Sequence, residues 1–255
     1  MRGVWTVEQV RAAEQAVIAR VGEAALMRRA AFGVAGQAAE LLREHTGGVV
    51  GRRVTLLVGA GNNGGDALWA GAFLRRRGIA VTAVLLAPQR AHAAGLAALR
   101  DLGGRVLETG AERAVAAVRT AHLVIDGIVG LSAHGPLRPD AAVLVAAADA
   151  AAAPIVAVDL PSGVDPDTGA ADGPAVTAAA TVTFGVLKPV HVLAPHHCGA
   201  LRVVDIGIGD ALPAPAIRML DTADVAEAWP VPGPADDKYT QGVTGVAAGS
   251  ATYPG

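Results

Sequence analysis

Three short polar stretches, each placed after an apolar run, carry the chemistry this chain could do. The first is Gly59-Ala60-Gly61-Asn62-Asn63-Gly64-Gly65-Asp66. Its glycines let the backbone approach a ligand, and its asparagines and aspartate supply side-chain oxygens. Placed between a strand and a helix, such a turn favours an anion, because free N–H groups and the helix dipole point into it. It suits a phosphate-bearing small molecule. The second stretch opens at Asp126 and continues through Gly127, Gly130, Leu131, Ser132, Ala133, His134, Gly135 and Pro136. A carboxylate at a strand end either faces a ligand or turns the chain. His134, alone in its loop, reads as a ligand contact or a solvent-facing side chain rather than a base. The third stretch is Asp159-Leu160-Pro161-Ser162-Gly163, whose turn holds the Ser162 hydroxyl near the strand end. Asn63, Asp126, Asp159 and Ser162 are expected to meet in one crevice. They are hard oxygen donors, suited to Na⁺, K⁺, Mg²⁺ or Ca²⁺ rather than zinc. No Gly-x-Ser-x-Gly elbow surrounds Ser162, which speaks against a nucleophile.

These residues need elements to position them. Residues 54–58 form an apolar, β-branched run of buried-strand type, and 66–77 has helical apolar spacing with an arginine-rich end. Strands over 79–86, 105–107, 122–126, 155–159, 181–184 and 201–206 alternate with helices over 91–102, 111–119 and 140–151. Repeated βα units imply an α/β fold, a Rossmann-like doubly wound, mainly parallel sheet with ligands beyond the carboxyl ends of its strands. Ahead of it, Thr6-Val7-Glu8-Gln9 is a capping box opening a helix to about residue 20. A second helix spans about residues 23–43, with Gly33 and Gly36 pointing to close packing. Nothing polar converges on this pair, so it reads as a covering or dimerising layer.

Spacing alone matches Gly59-x-Gly61-x-x-Gly64 to a dinucleotide fingerprint. A nicotinamide-dependent dehydrogenase adds an acid about twenty residues on, at the end of the second strand. This chain has Ala87-Pro88-Gln89 there, so the dehydrogenase reading loses its support. Composition narrows the class further. The chain has 255 residues, 52% hydrophobic and 17% charged, with a net charge of −2. That describes a globular protein with no electrostatic reason to bind nucleic acid. One cysteine, Cys198, excludes an internal disulfide framework and suits a reducing compartment. No signal peptide or spanning segment is evident, so no membrane partner and a cytoplasmic location are expected.

The order Gly-x-Gly-Asn-Asn-Gly-Gly-Asp, Asp-Gly-Ile-Val-Gly, Val-Asp-Leu-Pro-Ser-Gly-Val-Asp and Thr-Phe-Gly-x-x-Lys-Pro resembles the YjeF N-terminal domain of the NAD(P)H-hydrate epimerases. The resemblance spans about residues 5–212. It implies a dimeric epimerase that interconverts the R and S forms of hydrated NADH or NADPH at C6 of the nicotinamide, with one potassium ion per subunit. By motif, Asn62, Asn63, Gly64, Gly65 and Asp66 would bind the substrate, and Gly130, Leu131, Ser132, Ala133, His134, Gly135 and Pro136 its phosphates. Asp159 would lie against the hydrated ring as the acid/base, and Asn63, Asp126 and Ser162 would hold potassium. Two features depart from the family pattern: Ala67 replaces a glycine, and the loop after Asp126 carries less glycine. A non-catalytic nucleotide- or protein-binding module using the same crevice is the alternative.

Residues 1–212 are thus expected as one domain and the Pro-rich stretch 213–235 as a linker. Residues 236–255 look like the opening of the ribokinase-like YjeF C-terminal dehydratase domain, too short to fold, so dehydratase activity is expected to be absent. His196-His197-Cys198 reads as a connector, since three adjacent residues make a poor metal set. Lys188 reads as either a phosphate neighbour or a solvated loop lysine.

Overall fold

Along the strand over 53–58 of the large sheet, Val54, Leu56 and Val58 pack to one side while Leu57 packs to the other, the period of two that a strand covered on both faces requires. The sheet has seven strands: β1 (Arg53–Val58), β2 (Ala80–Leu85), β3 (Arg105–Glu108), β4 (Leu123–Gly127), β5 (Ile155–Val158), β6 (Ala180–Phe184) and β7 (Ala200–Val204). The computed structural model describes all residues except 111, 132–134, 230, 238, 241, 243, 244 and 246–255. The sheet order is β3-β2-β1-β4-β5-β6-β7 and every neighbouring pair is parallel. Strand order reverses between β1 and β4, where Leu57 pairs with Asp126. The Asn-Asn turn and the Asp126 loop therefore open side by side at the switch point.

One face is covered by α1 (Val7–Val21), α2 (Glu23–Thr46), α3 (Asn62–Arg76) and α4 (Ala93–Asp101), and the other by α5 (Glu112–Arg119) and α6 (Pro139–Ala150). Thr55, inward among apolar neighbours, donates its hydroxyl to Ala117 O on α5 at 2.9 Å. The expected capping box starts α1: Thr6 accepts from Gln9 N, and the Gln9 side chain accepts from Thr6 N. Gly33 does permit close packing, since a Cβ there would lie 2.4 Å from Val204 Cγ2; Gly36 faces open space and does not.

Three expectations are corrected. Helix α3 begins at Asn62, not 66, so Asn62 to Gly65 are its first turn rather than a loop. Strand β5 stops at Val158, leaving Asp159 outside the ladder at φ 67. The connector before β7 contains two short helices, α7 (Pro189–Leu193) and α8 (Pro195–Cys198). His197 lies in α8 with its ring 2.9 Å from Val176 O, and Cys198 is buried, its thiol pushed up to about 11 by burial. These residues are structural.

Residues 3–217 form one compact unit, and residues 1–2 with 218–255 form another. The second contains helix α9 (Thr222–Ala228), N-capped by Asp221, which accepts from Ala223 N and Asp224 N. That helix falls within the Pro-rich stretch 213–235, and most of 236–255 lies outside the described residues. Among the described residues no helix is long and apolar enough to cross a membrane.

Candidate active site

Asp159 is the centre of the site, and its backbone is held in a conformation that L-residues avoid, at φ 67. Its N–H donates to Val182 O at 2.8 Å, and its carbonyl faces His191 Nε2 at 2.9 Å. His191 Nδ1 accepts from Lys188 N at 3.0 Å, so the ring is neutral and its Nε2–H donates to the Asp159 carbonyl. Burial, with the Lys188 charge nearby, lowers the His191 imidazole to about 4. The carboxylate is fixed as tightly as the backbone. Asp159 Oδ1 accepts from Lys188 Nζ at 2.5 Å, from Thr183 Oγ1 at 3.1 Å and from Phe184 N at 3.2 Å. Lys188 is 0% exposed. A lysine so buried stays charged only with a partner, and Asp159 supplies it. Neither reading of Lys188 from sequence survives: it is an internal counter-ion, not a loop lysine or a phosphate neighbour.

Beneath the Asp159 turn, Asp126 and Ser162 lock to each other. Asp126 Oδ1 accepts from Ser162 Oγ at 2.7 Å and Ile128 N at 3.1 Å, and Oδ2 accepts from Ser162 N at 2.8 Å. Burial raises the Asp126 carboxyl above its ordinary range, opposed by these hydrogen bonds. The Ser162 oxygen also accepts from Val129 N at 3.2 Å. Asn63 joins the cluster from the first turn of α3, donating its amide to Val158 O at 2.7 Å and Val129 O at 3.0 Å. Asn63, whose amide donates to Val129 O, is thus linked through Val129 to Ser162 and Asp126. Asp126 is buried and forms no ion pair among the described residues. Carboxylate, hydroxyl and carbonyl oxygens are the donor set an alkali cation takes.

A cavity of about 1140 Å³ lies over the switch point. Asp159, Asn62, Asn63 and Asp66 line it, as do Gly130, Leu131, Gly135 and Pro136 of the loop after β4. Ser132, Ala133 and His134 fall outside the described residues. Gly64 and Gly65 do not line the cavity: a Cβ on Gly64 would lie 2.4 Å from Gly59 O, and one on Gly65 would meet Met27 at 2.9 Å. They bring α3 close to its neighbours instead. Asp126 and Ser162 likewise sit behind the lining.

The N-terminal helices do cover one face of the sheet, but the reading that nothing polar converges on them is corrected. Arg11, Glu14 and Gln15 of α1 and Glu23 of α2 line the cavity, and Asn62 donates to Glu23 Oε1 at 2.8 Å. The i, i+3, i+4 spacing of the α1 residues, beside the apolar stripe of Val10, Ala13 and Val17, is the signal that could have shown it. Two further carboxyls are perturbed here. Burial raises Glu14, reinforced by the Asp159 charge. Burial raises Asp66 well above the carboxylate range, reinforced by Asp159, Glu14 and Glu23. Where a Rossmann dehydrogenase carries its ribose-binding acid, Leu86, Ala87 and Arg90 line this cavity instead.

The family described as YjeF-related protein N-terminus matches residues 23–190. This chain belongs to that family. As a YjeF N-terminal chain it carries the three polar strand ends and Lys188 inside the matched span. It is 57% identical over 255 residues to a bifunctional NAD(P)H-hydrate repair enzyme of Mycobacterium tuberculosis, covering 100% of this chain and 52% of that protein. It therefore spans about half the length of that curated relative. An NAD(P)H-hydrate epimerase of Microbacterium testaceum is 40% identical over 210 residues, covering 80% of this chain and 78% of that one. Among solved structures, yeast ynu0 superposes with a TM-score of 0.65 at 24% identity, over 74% of this chain and 83% of the yeast chain, a likeness of fold.

Proposed function

We propose that this YjeF N-terminal chain is an isomerase that interconverts the R and S forms of hydrated NADH or NADPH at C6 of the nicotinamide. The observation that carries the proposal is a carboxylate, Asp159, that lines a dinucleotide-sized cavity while a buried lysine holds its charge. The relatives named as hydrate epimerase and hydrate repair enzyme supply the substrate class. C6 of the hydrate bears a hydroxyl and the ring nitrogen, so inversion breaks and re-forms one bond with a proton moved each way. The hydrogen bonds from Lys188, Thr183 and Phe184 all fall on Asp159 Oδ1, which leaves Oδ2 to meet the hydroxyl and take or return its proton.

Asn63, Asp126 and Ser162 would hold one potassium ion per subunit. When bound, the ion would supply fixed positive charge beside the Asp126 carboxyl. In the same reading the chain works in the cytoplasm as a homodimer, without nucleic acid or membrane.

The test is to supply purified R- and S-NADHX and follow their interconversion by chromatography. The protein should bring either epimer to the equilibrium mixture, and Asp159→Asn should slow this by about 10²–10⁴-fold. No acceleration by the parent protein sinks the proposal, and near-normal rates in Asp159→Asn sink the assignment of Asp159. Replacing potassium with a large organic cation should lower the rate, and an unchanged rate argues against the ion.

A further inference from the structure

The two epimers carry their hydroxyls on opposite faces of the nicotinamide ring, so a carboxylate placed on one face serves only half of the inversion. The cavity contains a second carboxyl with unspent hydrogen-bonding capacity. Asp66 is 5% exposed, lines the same cavity as Asp159, and its Oδ1 is buried with no hydrogen-bond partner among the described residues. A buried carboxyl oxygen left unpaired costs free energy until something enters the cavity to meet it. Asp66 stands fifth in α3, past the free N–H groups of the first turn, so the helix end does not satisfy it.

We infer that Asp66 is the second acid/base group of the reaction, giving a proton on the ring face opposite Asp159. The inference rests on the epimerase reading above. Its surroundings are consistent in sign. Glu14 of α1, Glu23 of α2 and Asp159 all act on Asp66 as negative charges. Two cations near the cavity act on other carboxylates: Lys188 pairs with Asp159, and Arg11 acts on Glu14. His92, which caps α4 beside Gly65, accepts a hydrogen bond from Gly95 N on Nδ1 at 3.0 Å. Asp159 is ion-paired and Asp66 forms no ion pair among the described residues, a difference that suits a division into base and acid.

The step balances with water as the only co-reactant. The C6–O bond breaks with its electron pair leaving on oxygen, and Asp66 gives its proton so that water departs. The ring-nitrogen lone pair forms the C6–N double bond. Water then adds to the other face, its electron pair forms the new C6–O bond, and its surplus proton passes to Asp159. The reverse conversion runs the proton back from Asp159 to Asp66, and between forward turnovers Asp159 releases its proton to water while Asp66 takes one up, which restores the starting charges.

Asp66→Asn keeps shape and a hydrogen-bond donor but has no proton to give. Its kcat for interconversion should fall by about 100-fold or more with KM nearly unchanged, and its thermal melt should match the parent's. In the parent, carbon-13 NMR should show one aspartate carboxyl still at the protonated position at neutral pH, and Asp66→Asn should lack it. A parent that interconverts the epimers while Asp66→Asn keeps a kcat within about threefold overturns this inference alone, as does a resonance at the ionised position. A parent that does not interconvert them overturns the epimerase reading and this one together.

Discussion

Asp159 owes its place to two residues that follow it by 29 and 32 positions. Lys188 neutralises its carboxylate, and His191 ties down its carbonyl. The histidine makes stability depend on pH in a predictable direction. His191 is lowered to about 4 from 6.5, so between those values the unfolded chain binds a proton that the folded chain refuses. Stability is full above the upper value and is lost as pH falls toward the lower one, by about 3 kcal/mol in all. Replacing His191 with Gln should remove that loss, read as the gap between the two proteins' denaturant midpoints at pH 7 and pH 4. The comparison must be made between variant and parent at each pH. Asp66, Asp126 and Glu14 are raised instead, and they favour the folded chain under acid conditions.

At the scale of elements, the switch point is sealed by a contact only glycine allows. A Cβ on Gly59 would lie 1.7 Å from Ile128 O, which is backbone and cannot swing away. Gly59→Ala should push the β1 and β4 exits apart, cost about 1–3 kcal/mol in a thermal or urea melt, and slow epimer interconversion. Much of this layer was legible beforehand. Period-two strands, the Thr6 capping box and the alternation of strand and helix dictate the sheet, and the strand-end rule points to Asn63, Asp126 and Asp159. The start of α3 was hidden because Gly64-Gly65 is a poor helix former, rescued here by packing against Met27 and Gly59. The Lys188–Asp159 pair was hidden because burying a lysine is rare and its partner is remote in sequence. The roles of Arg11, Glu14 and Glu23 were hidden because a polar helix face turned toward a cavity has the same pattern as one turned toward water.

Across the whole molecule, every residue discussed for catalysis lies within the compact unit 3–217. A chain ending at Ile217 should therefore melt in one cooperative transition and keep the parent's interconversion rate, checked by calorimetry and by the same chromatographic assay. The buried pair at the centre has a further consequence for engineering. An aspartate in left-handed conformation and a lysine with 0% exposure are both features a fold would be more stable without. Replacing them together, Asp159→Gly with Lys188→Met, removes the strain and both desolvated charges, and should yield a protein at least as stable as the parent but inert toward either epimer. Selecting variants for thermal robustness alone would then drift toward loss of turnover at this pair, so any search for a hardier enzyme has to screen activity in the same round.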